Sequence, residues 1–156
     1  MEFDVRGVIQ LAGTELNKNR GPIFPNAVTN IPIRMKFLRL HTLFGTGWSA
    51  EDGTRIGALT LHYADGRQQE LPILYGIHLR NWVRPEPNID APETEPTRKA
   101  VVAWVGRNRC SREHKESLRL YRATWENPRP KVEVRSIDFG SALGVCAPFL
   151  IAITVD

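Results

Sequence analysis

The sequence predicts an all-β fold, an antiparallel two-sheet sandwich of the jelly-roll type with about eight strands. Apolar and polar residues alternate with a period of two over most of the chain, which is typical of half-buried strands. No window of eleven or more residues shows the apolar stripe of a helix. Because parallel strands need crossover connections that are usually helical, the sheets are predicted to be antiparallel. The 156 residues suffice for a single domain over residues 1–156.

The first predicted strand spans residues 3–11, and the next segment with period-two patterning begins at Ile31. Apolar residues occupy odd positions from Ile31 to Phe37 and then even positions from Leu38 to Phe44. A one-residue change of phase moves side chains to the other face of a sheet. The sequence therefore predicts a β-bulge or bend near residues 37–38.

A hairpin is the clearest local prediction. Leu59 and Tyr63 belong to one alternating run and Leu71 to the next, and residues 64–66 separate the runs. A three-residue loop with Gly66 in the left-handed conformation would pair Leu59 with Leu71 and keep apolar residues on one face. A two-residue loop would mix the faces, so the longer loop is predicted.

Four further strands are predicted over residues 100–106, 117–125, 131–139 and 148–155. The run 100–106 is apolar at both parities, which indicates a central strand with Trp104 in the core. The change of parity between Val134 and Ile137 predicts a bulge near residues 135–136.

Residues 111–117 could form one or two helical turns at most. Three long connections remain, at residues 17–30, 45–55 and 84–99, and the last, rich in proline and acidic residues, is predicted to be a surface excursion.

Composition limits the class of protein. Hydrophobic residues make up 42% of the chain and charged residues 24%, and the mean hydropathy is -0.30, as in a soluble globular domain. No apolar stretch is long enough to span a membrane. Residues 1–10 include Glu2, Asp4 and Arg6 where a secretory signal would have an apolar core, so this chain is not expected to direct its own export, and its compartment stays open.

Charge is concentrated in one part of the chain. The net charge is +4, and residues 98–135 contain eleven Lys and Arg residues against four acidic residues. Acidic residues are interspersed among the basic ones, which favours a solvated face over a nucleic-acid footprint. No motif for reading bases is present, so no nucleic-acid partner is predicted.

Catalytic and metal-binding motifs are absent from the sequence. His41, His62, His78 and His114 lack a metal-ligand spacing, and Gly47-Trp-Ser49-Ala-Glu51 departs from a nucleophile elbow at its last position. The chain is therefore predicted not to be an enzyme, with a glycosidase-type activity as the minor alternative. No cofactor is predicted. A structural calcium held by loop oxygens is compatible with a sandwich, but no acidic spacing places one.

The two cysteines, Cys110 and Cys146, lie 36 residues apart and form no C-x-x-C motif. Two free thiols are favoured over a disulfide. Their sequence spacing alone does not decide between these states.

Aromatic residues carry the remaining functional signal. Trp48 and Trp82 lie in or beside long connections, where an indole face could stack on the C–H face of a sugar. Arg80, Asn81 and Arg84 could bind the hydroxyl or carboxylate groups of that sugar. The alternatives to a binding role are structural: Trp48 could hold its loop against the edge of the sandwich, and Trp82 could pack in the core at the end of a strand. The remaining tryptophan outside the apolar run, at position 125, begins a proline-rich corner and is interpreted as a packing residue.

Several phrases of the sequence together resemble a family of bacterial β-sandwich domains of the galactose-binding-like fold, often appended to larger carbohydrate-active or regulatory proteins. The resemblance spans Phe3 to Val155. The phrases are Ile31-Pro-Ile33, Leu40-His-Thr-Leu-Phe-Gly45, Gly57 through Tyr63-Ala-Asp-Gly66, Leu71-Pro-Ile-Leu-Tyr-Gly76, Asn81-Trp82, Ala103-Trp104, Trp125-Glu-Asn-Pro128 and Ile137-Asp138.

This resemblance implies a ligand held among loops at one end of the sheets. The expected function is a non-catalytic accessory module that binds carbohydrate through loop aromatics and Arg and Asn side chains. The alternative is a protein-interaction or ligand-sensing domain of a multidomain regulatory protein, because such folds host many functions. The expected partners are a saccharide, neutral or anionic, or a protein, together with other domains of a parent polypeptide. The candidate binding residues are Trp48, Tyr75, Arg80, Asn81, Trp82 and Arg84.

Overall fold

Two antiparallel sheets face each other across an apolar core in the computed structural model, which describes residues 1–18, 21–85 and 99–156. The described residues form ten strands and two five-residue helices. In chain order these are β1 (Ile9–Gln10), α1 (Thr14–Lys18), β2 (Ala27–Met35), β3 (Arg39–Gly47), β4 (Arg55–Tyr63), β5 (Gln68–Leu74), β6 (Val83–Pro85), β7 (Ala100–Gly106), α2 (Arg109–Glu113), β8 (Glu116–Glu126), β9 (Val134–Ser141) and β10 (Ala147–Val155). Neither described helix is long and apolar enough to cross a membrane.

The strand order confirms the predicted antiparallel sandwich. The first sheet has the order β1-β10-β3-β8-β6, with β7 also paired to β8, and the second has the order β2-β9-β4-β5. The sets β1-β10-β3-β8 and β2-β9-β4-β5 form the eight strands of a jelly roll, and β6 and β7 extend the first sheet. Ten strands are found where about eight were predicted. The difference arises because residues 31–44 form two strands and because residues 83–85 form β6.

The prediction of a bulge or bend within one strand near residues 37–38 is wrong, because the strand ends there. β2 ends at Met35 and β3 begins at Arg39, and the two strands belong to opposite sheets. The apolar residues change from odd to even positions because the chain crosses from one sheet to the other. The core then lies on the opposite side of the strand. Phe37 is buried at this crossing.

Two local predictions are confirmed. Leu59 pairs with Leu71, the Tyr63 amide donates to the Arg67 carbonyl at 2.9 Å, and Gly66 has a φ of 85°. The bulge in β9 lies at residue 135. There the pairing with β4 skips from Ser136 to Val134.

The predicted central position of residues 100–106 is wrong. β7 pairs with β8 alone among the described strands and lies at the edge of the first sheet. Trp104, predicted to be in the core, is 47% exposed. An apolar run at both parities is typical of a buried strand, but here it belongs to an edge strand with two exposed faces. The predicted surface excursion that precedes β7 falls largely on residues 86–98, which lie outside the described residues.

A buried polar cluster around Asn127 closes the corner after β8. The Tyr63 hydroxyl donates to Asn127 Oδ1 at 2.6 Å, and Asn127 Nδ2 donates to the Phe37 carbonyl at 2.9 Å. The Asn127 amide donates to the Leu38 carbonyl at 2.8 Å, and the Arg129 amide donates to Asn127 Oδ1 at 3.0 Å. One side chain therefore joins the corner to β4 and to the β2–β3 crossing.

His78 packs in the interior against Trp125, with ring centroids 5.0 Å apart. Its Nδ1 accepts the Leu74 amide at 3.0 Å. Burial, together with the nearby charge of Lys99, lowers the pKa of His78 from 6.5 to about 4. The neutral ring is thus part of the packed core, and Trp125 is buried as the sequence indicated.

This lowered pKa predicts acid sensitivity of the fold. Between pH 6.5 and about 4 the unfolded chain binds a proton at His78 that the folded chain does not. The stabilising contribution of neutral His78 is therefore present above pH 6.5 and is lost as pH falls toward 4, by about 2 to 3 kcal/mol. Urea unfolding at pH 7 and pH 4.5 measures it, with His78→Asn expected to reduce the difference and the exposed control His114→Asn expected to preserve it. An unchanged difference in His78→Asn would contradict this assignment.

Both cysteines are free thiols, as the sequence favoured. Cys110 is exposed on α2 and Cys146 is buried just before β10. Burial raises the pKa of the Cys146 thiol. This cysteine therefore stays neutral and behaves as a small core residue.

Candidate functional site

An apolar groove of about 430 Å³ lies on the outer face of the first sheet, where β3 ends and β10 begins. The side of the sheet opposite to the core forms its floor, and helix α1 and the segments after β3 and before β6 form its walls. Its lining residues are Val8, Gln10, Leu16, Gly47, Trp48, Trp82, Ala147, Phe149 and Ile151.

Phe149 forms the floor of the groove because its neighbour Gly45 has no side chain. Phe149 alternates with the core residue Leu150, so it faces outward, and it pairs with Gly45 of β3. A Cβ atom on Gly45 would lie 2.5 Å from the Phe149 ring. The glycine therefore lets the ring lie against the backbone of β3, where it is buried although it faces away from the core.

Trp82 forms one wall. Its ring meets Phe149 edge to face, with centroids 5.4 Å apart and an interplanar angle of 80°. The Trp82 amide donates to the Thr46 carbonyl at 2.9 Å, and the Trp82 carbonyl accepts the Arg119 amide at 2.9 Å. The backbone of Trp82 is thus held between the end of β3 and the start of β8.

Trp48 forms the other aromatic wall, directly after β3. Its φ of 63° lies in the left-handed region, which is uncommon for a bulky residue and costs about 1 kcal/mol. The Trp48 carbonyl is 3.6 Å from the Cys146 Sγ, which ties this turn to the start of β10. The unusual backbone turns the chain sharply at the rim of the groove.

Arg80 joins the two tryptophan segments instead of lining the groove. Its guanidinium makes two hydrogen bonds to the Asp52 carboxylate, at 2.8 and 2.9 Å, and lies 5.8 Å from the centre of the Tyr75 ring. The Asp52 carboxylate sits against Gly76, whose φ is 73°, and a Cβ atom there would collide with it. The Arg80–Asp52 pair therefore connects the loop after Trp48 to the loop before Trp82.

Asn81 reinforces the same connection. Its Nδ2 donates to Ser49 Oγ at 3.4 Å, and its carbonyl accepts the Arg119 Nε at 3.1 Å. Its amide donates to the Tyr75 hydroxyl at 3.3 Å. Arg119 is a buried cation from β8 that fixes the segment carrying Trp82.

The structure thus places five of the six sequence-predicted residues in two groups. Trp48 and Trp82 share the groove. Tyr75, Arg80 and Asn81 form the connecting network, and Tyr75 is buried. The last candidate, at position 84, lies in β6 opposite Ser117, and the groove lining given by the described residues does not include it.

Sequence reasoning missed most of the apolar lining. The residues at 147, 149 and 151 form an outward apolar set on β10, but this run is apolar at both parities and indicates only a strand. Leu16 lies in α1 and Val8 directly precedes β1, and the positions of both elements depend on the tertiary fold. No periodic signal in the sequence therefore marked these lining residues.

The groove lining is suited to apolar packing and not to hydrogen bonding. Within the part of the chain that the structure describes, Gln10 is the one lining residue with a polar aliphatic side chain, and its Nε2 donates to the Leu11 carbonyl at 2.8 Å. None of the lining residues titrates near neutral pH. Over residues 1–18, 21–85 and 99–156, no group of three or more His, Cys, Asp or Glu residues could hold a metal ion.

No protein-family model, curated protein or solved structure matches this chain. The resemblance to galactose-binding-like domains therefore stays a prediction from the sequence.

Proposed function

We propose that this chain is a non-catalytic binding module whose ligand lies in the groove between Trp48 and Trp82. The observation that supports this most is the convergence of two partly exposed indoles on one apolar groove. Pockets lined by aromatic side chains are the usual sites for small ligands and for anchor side chains of partners. Among the described residues, those that line the groove include no acid, base or nucleophile, which supports binding without turnover.

A saccharide is the first ligand class. The C–H face of a sugar ring stacks on indole, and the two tryptophans could contact one ring or two successive rings. The weakness of this class is the scarcity of hydrogen-bonding groups, because Arg80 and Asn81 bond to Asp52 and Ser49. A sugar here would use stacking, with Gln10 as a polar side chain in the lining.

An apolar anchor of a protein segment is the second ligand class, and the lining favours it. Val8, Leu16, Phe149 and Ile151 surround the indoles and match an aliphatic or aromatic side chain better than a hydroxylated ring. A hot-spot side chain in a desolvated pocket is a common way in which accessory domains bind partners.

Nuclear magnetic resonance titration separates the two classes. The probes are cellotetraose, galactose and N-acetyl-phenylalanyl-leucine amide, each followed by the indole N–H signals of a ¹⁵N-labelled chain. We expect the Trp48 and Trp82 signals to shift together with one class of probe, and Trp82→Ala to weaken binding about tenfold or more. Trp104→Ala is the matched control, because that tryptophan is exposed outside the groove. Shifts of the Trp104 signal alone, or no saturable shift with any probe at millimolar concentration, would contradict the proposal.

A further inference from the structure

A polar cleft of about 240 Å³ lies on the outer face of the second sheet, where β4 begins and β9 ends. The core residues Leu59 and Phe139 alternate along these strands with Thr60 and Asp138, which therefore face outward and line the cleft. The apolar groove lies on the outer face of the first sheet. This second-sheet cleft is thus on the opposite side of the sandwich from the groove.

Small residues form the floor of the second-sheet cleft. Gly140 of β9 pairs with Ala58 of β4 on one side and with Ala27 of β2 on the other. Among the described atoms, the nearest to a Cβ atom on Gly140 would be the Ala27 Cβ, at 3.8 Å. The space above Gly140 is therefore open, and a side chain at this position would fill the cleft.

Asp138 forms one wall, and its carboxylate is held from two sides. Its Oδ1 accepts the Asn30 amide at 2.8 Å, and its Oδ2 lies 2.8 Å from His62 Nε2. The pairing of β2 with β9 is irregular between Val28 and Ile31, and Asn30 has a φ of 59°. At this irregularity the Asn30 amide donates to a side chain of the neighbouring strand. Bulges that re-aim a group in this way are frequent beside active sites.

An ion pair forms the other wall. Arg55 Nη2 lies 2.8 Å from Glu70 Oε2, and both side chains are about half exposed. Glu70 of β5 and Asp138 of β9 are the cross-strand partners of Thr60 on its two sides. The two acidic residues therefore flank Thr60 in one row across three strands of the outer face.

This lining combines hydrogen-bond donors with acceptors. The Asp138 side chain is 26% exposed, and a carboxylate has lone pairs beyond those used by its contacts to Asn30 and His62. The Arg55 guanidinium carries N–H donors beyond its bond to Glu70, and threonine hydroxyls in the lining can both donate and accept. Adjacent hydroxyl groups of a sugar ring, which also donate and accept, match such a set.

The charges of the lining favour a neutral ligand. Arg55 is paired with Glu70, so a phosphate or another anion would gain little from the cation and would meet the carboxylates of Glu70 and Asp138. In the described part of the chain no group of three or more His, Cys, Asp or Glu residues could hold a metal ion. A neutral polyhydroxylated ring meets neither obstacle.

We infer that the second-sheet cleft binds one ring of a neutral saccharide through its hydroxyl groups. These hydroxyls donate to Asp138 and Glu70 and accept from Arg55, and the ring lies over Gly140. The volume of about 240 Å³ is below the usual range for drug-sized ligands, which suits a single ring. This site uses hydrogen bonds on a surface separate from the groove, so either proposal can fail while the other stands.

Nuclear magnetic resonance titration of the ¹⁵N-labelled full chain with methyl β-glucoside and methyl α-mannoside tests the inference. We expect one of them to shift the amides of residues 57–60 and 138–142 with saturation at millimolar concentration, and to leave the Trp48 and Trp82 indole signals unchanged. The fully O-methylated form of the same glycoside cannot donate hydrogen bonds and should bind about tenfold or more weakly. Ethylammonium chloride and sodium phosphate probe other ligand classes, and tighter binding of either one in the cleft would overturn the inference.

Two variants change the cleft in different ways. Gly140→Val fills its floor and Asp138→Asn removes the charge from its wall, and each is expected to weaken glycoside binding about tenfold or more. Gly144→Val is the matched control, because a Cβ atom there has open space and the residue lies outside the lining. Trp82→Ala should also leave glycoside binding unchanged, and urea unfolding checks that every variant folds. Full affinity in either folded cleft variant, loss of binding in Trp82→Ala, no saturable shift with either glycoside, or equal binding of the O-methylated form would each contradict the inference.

Discussion

Asn127→Ala is expected to lower the free energy of unfolding by about 3 to 4 kcal/mol. The variant removes the acceptor of the Tyr63 hydroxyl and of the Arg129 amide, and the donor to the Phe37 carbonyl. Tyr63 and Phe37 are buried, so the hydroxyl and the carbonyl left behind have little access to bulk water. Urea unfolding followed by tryptophan fluorescence gives the midpoint and slope.

Tyr63→Phe provides the comparison for Asn127. It removes one hydroxyl hydrogen bond and leaves the three other bonds of Asn127 in place, so a loss of about 1 kcal/mol is expected. Equal effects of the two variants would show that the bonds of Asn127 to the β2–β3 crossing contribute little. In that case the corner would depend on packing alone.

Gly45→Val is expected to damage both stability and the groove. The new Cβ would overlap the Phe149 ring, and the ring can move only away from the backbone of β3, toward the groove. We expect a loss of about 1 to 3 kcal/mol in unfolding free energy and disruption of the Trp82–Phe149 contact. Urea unfolding and the chemical shift of the Trp82 indole N–H measure the two effects.

Gly47→Ala is the matched control for Gly45. It lies two residues further along the same strand, but a Cβ atom there has no atom within 4 Å. Its unfolding free energy should change by less than about 1 kcal/mol, because nothing must move. A Gly45→Val variant as stable as this control would contradict the role of Gly45 under Phe149.

The parts of the fold that the sequence predicted well are those determined by local geometry. The hairpin at Gly66 follows from loop length, the left-handed glycine and the phase of Leu59 and Leu71. The bulge at residue 135 follows from a change of parity within one strand. Such signals depend on near neighbours, so they are readable without the tertiary structure.

The parts of the fold that the sequence predicted wrongly depend on which strands become neighbours. A parity change at residues 37–38 has the same sequence signature whether the strand bends or the chain crosses to the other sheet. The apolar run of β7 looks like a buried strand because periodicity does not record whether a second sheet lies beneath it. Both distinctions require the strand order, which a single sequence does not specify.

The candidate site was also predictable only in part, because the sequence does not show which segments become neighbours. Trp48 and Trp82 were singled out by their places beside long connections, and the structure brings them to one groove. Arg80 and Asn81 were expected to face a ligand, but the nearest available partners are Asp52 and Ser49 of the neighbouring loop. A polar residue beside an aromatic one in sequence can face a ligand or hold the loop, and only the fold distinguishes these roles.

The most direct test of the ligand site fills the groove without disturbing the rest of the chain. Gly47→Val places a side chain in open space at the groove lining, and Gly144→Val places one in open space outside it. Isothermal titration with whichever of cellotetraose, galactose and N-acetyl-phenylalanyl-leucine amide binds most tightly compares the two variants with the unmodified chain. We expect Gly47→Val to weaken binding about tenfold or more and Gly144→Val to leave it unchanged, with both variants folded. Full affinity in a folded Gly47→Val variant would show that the ligand binds elsewhere.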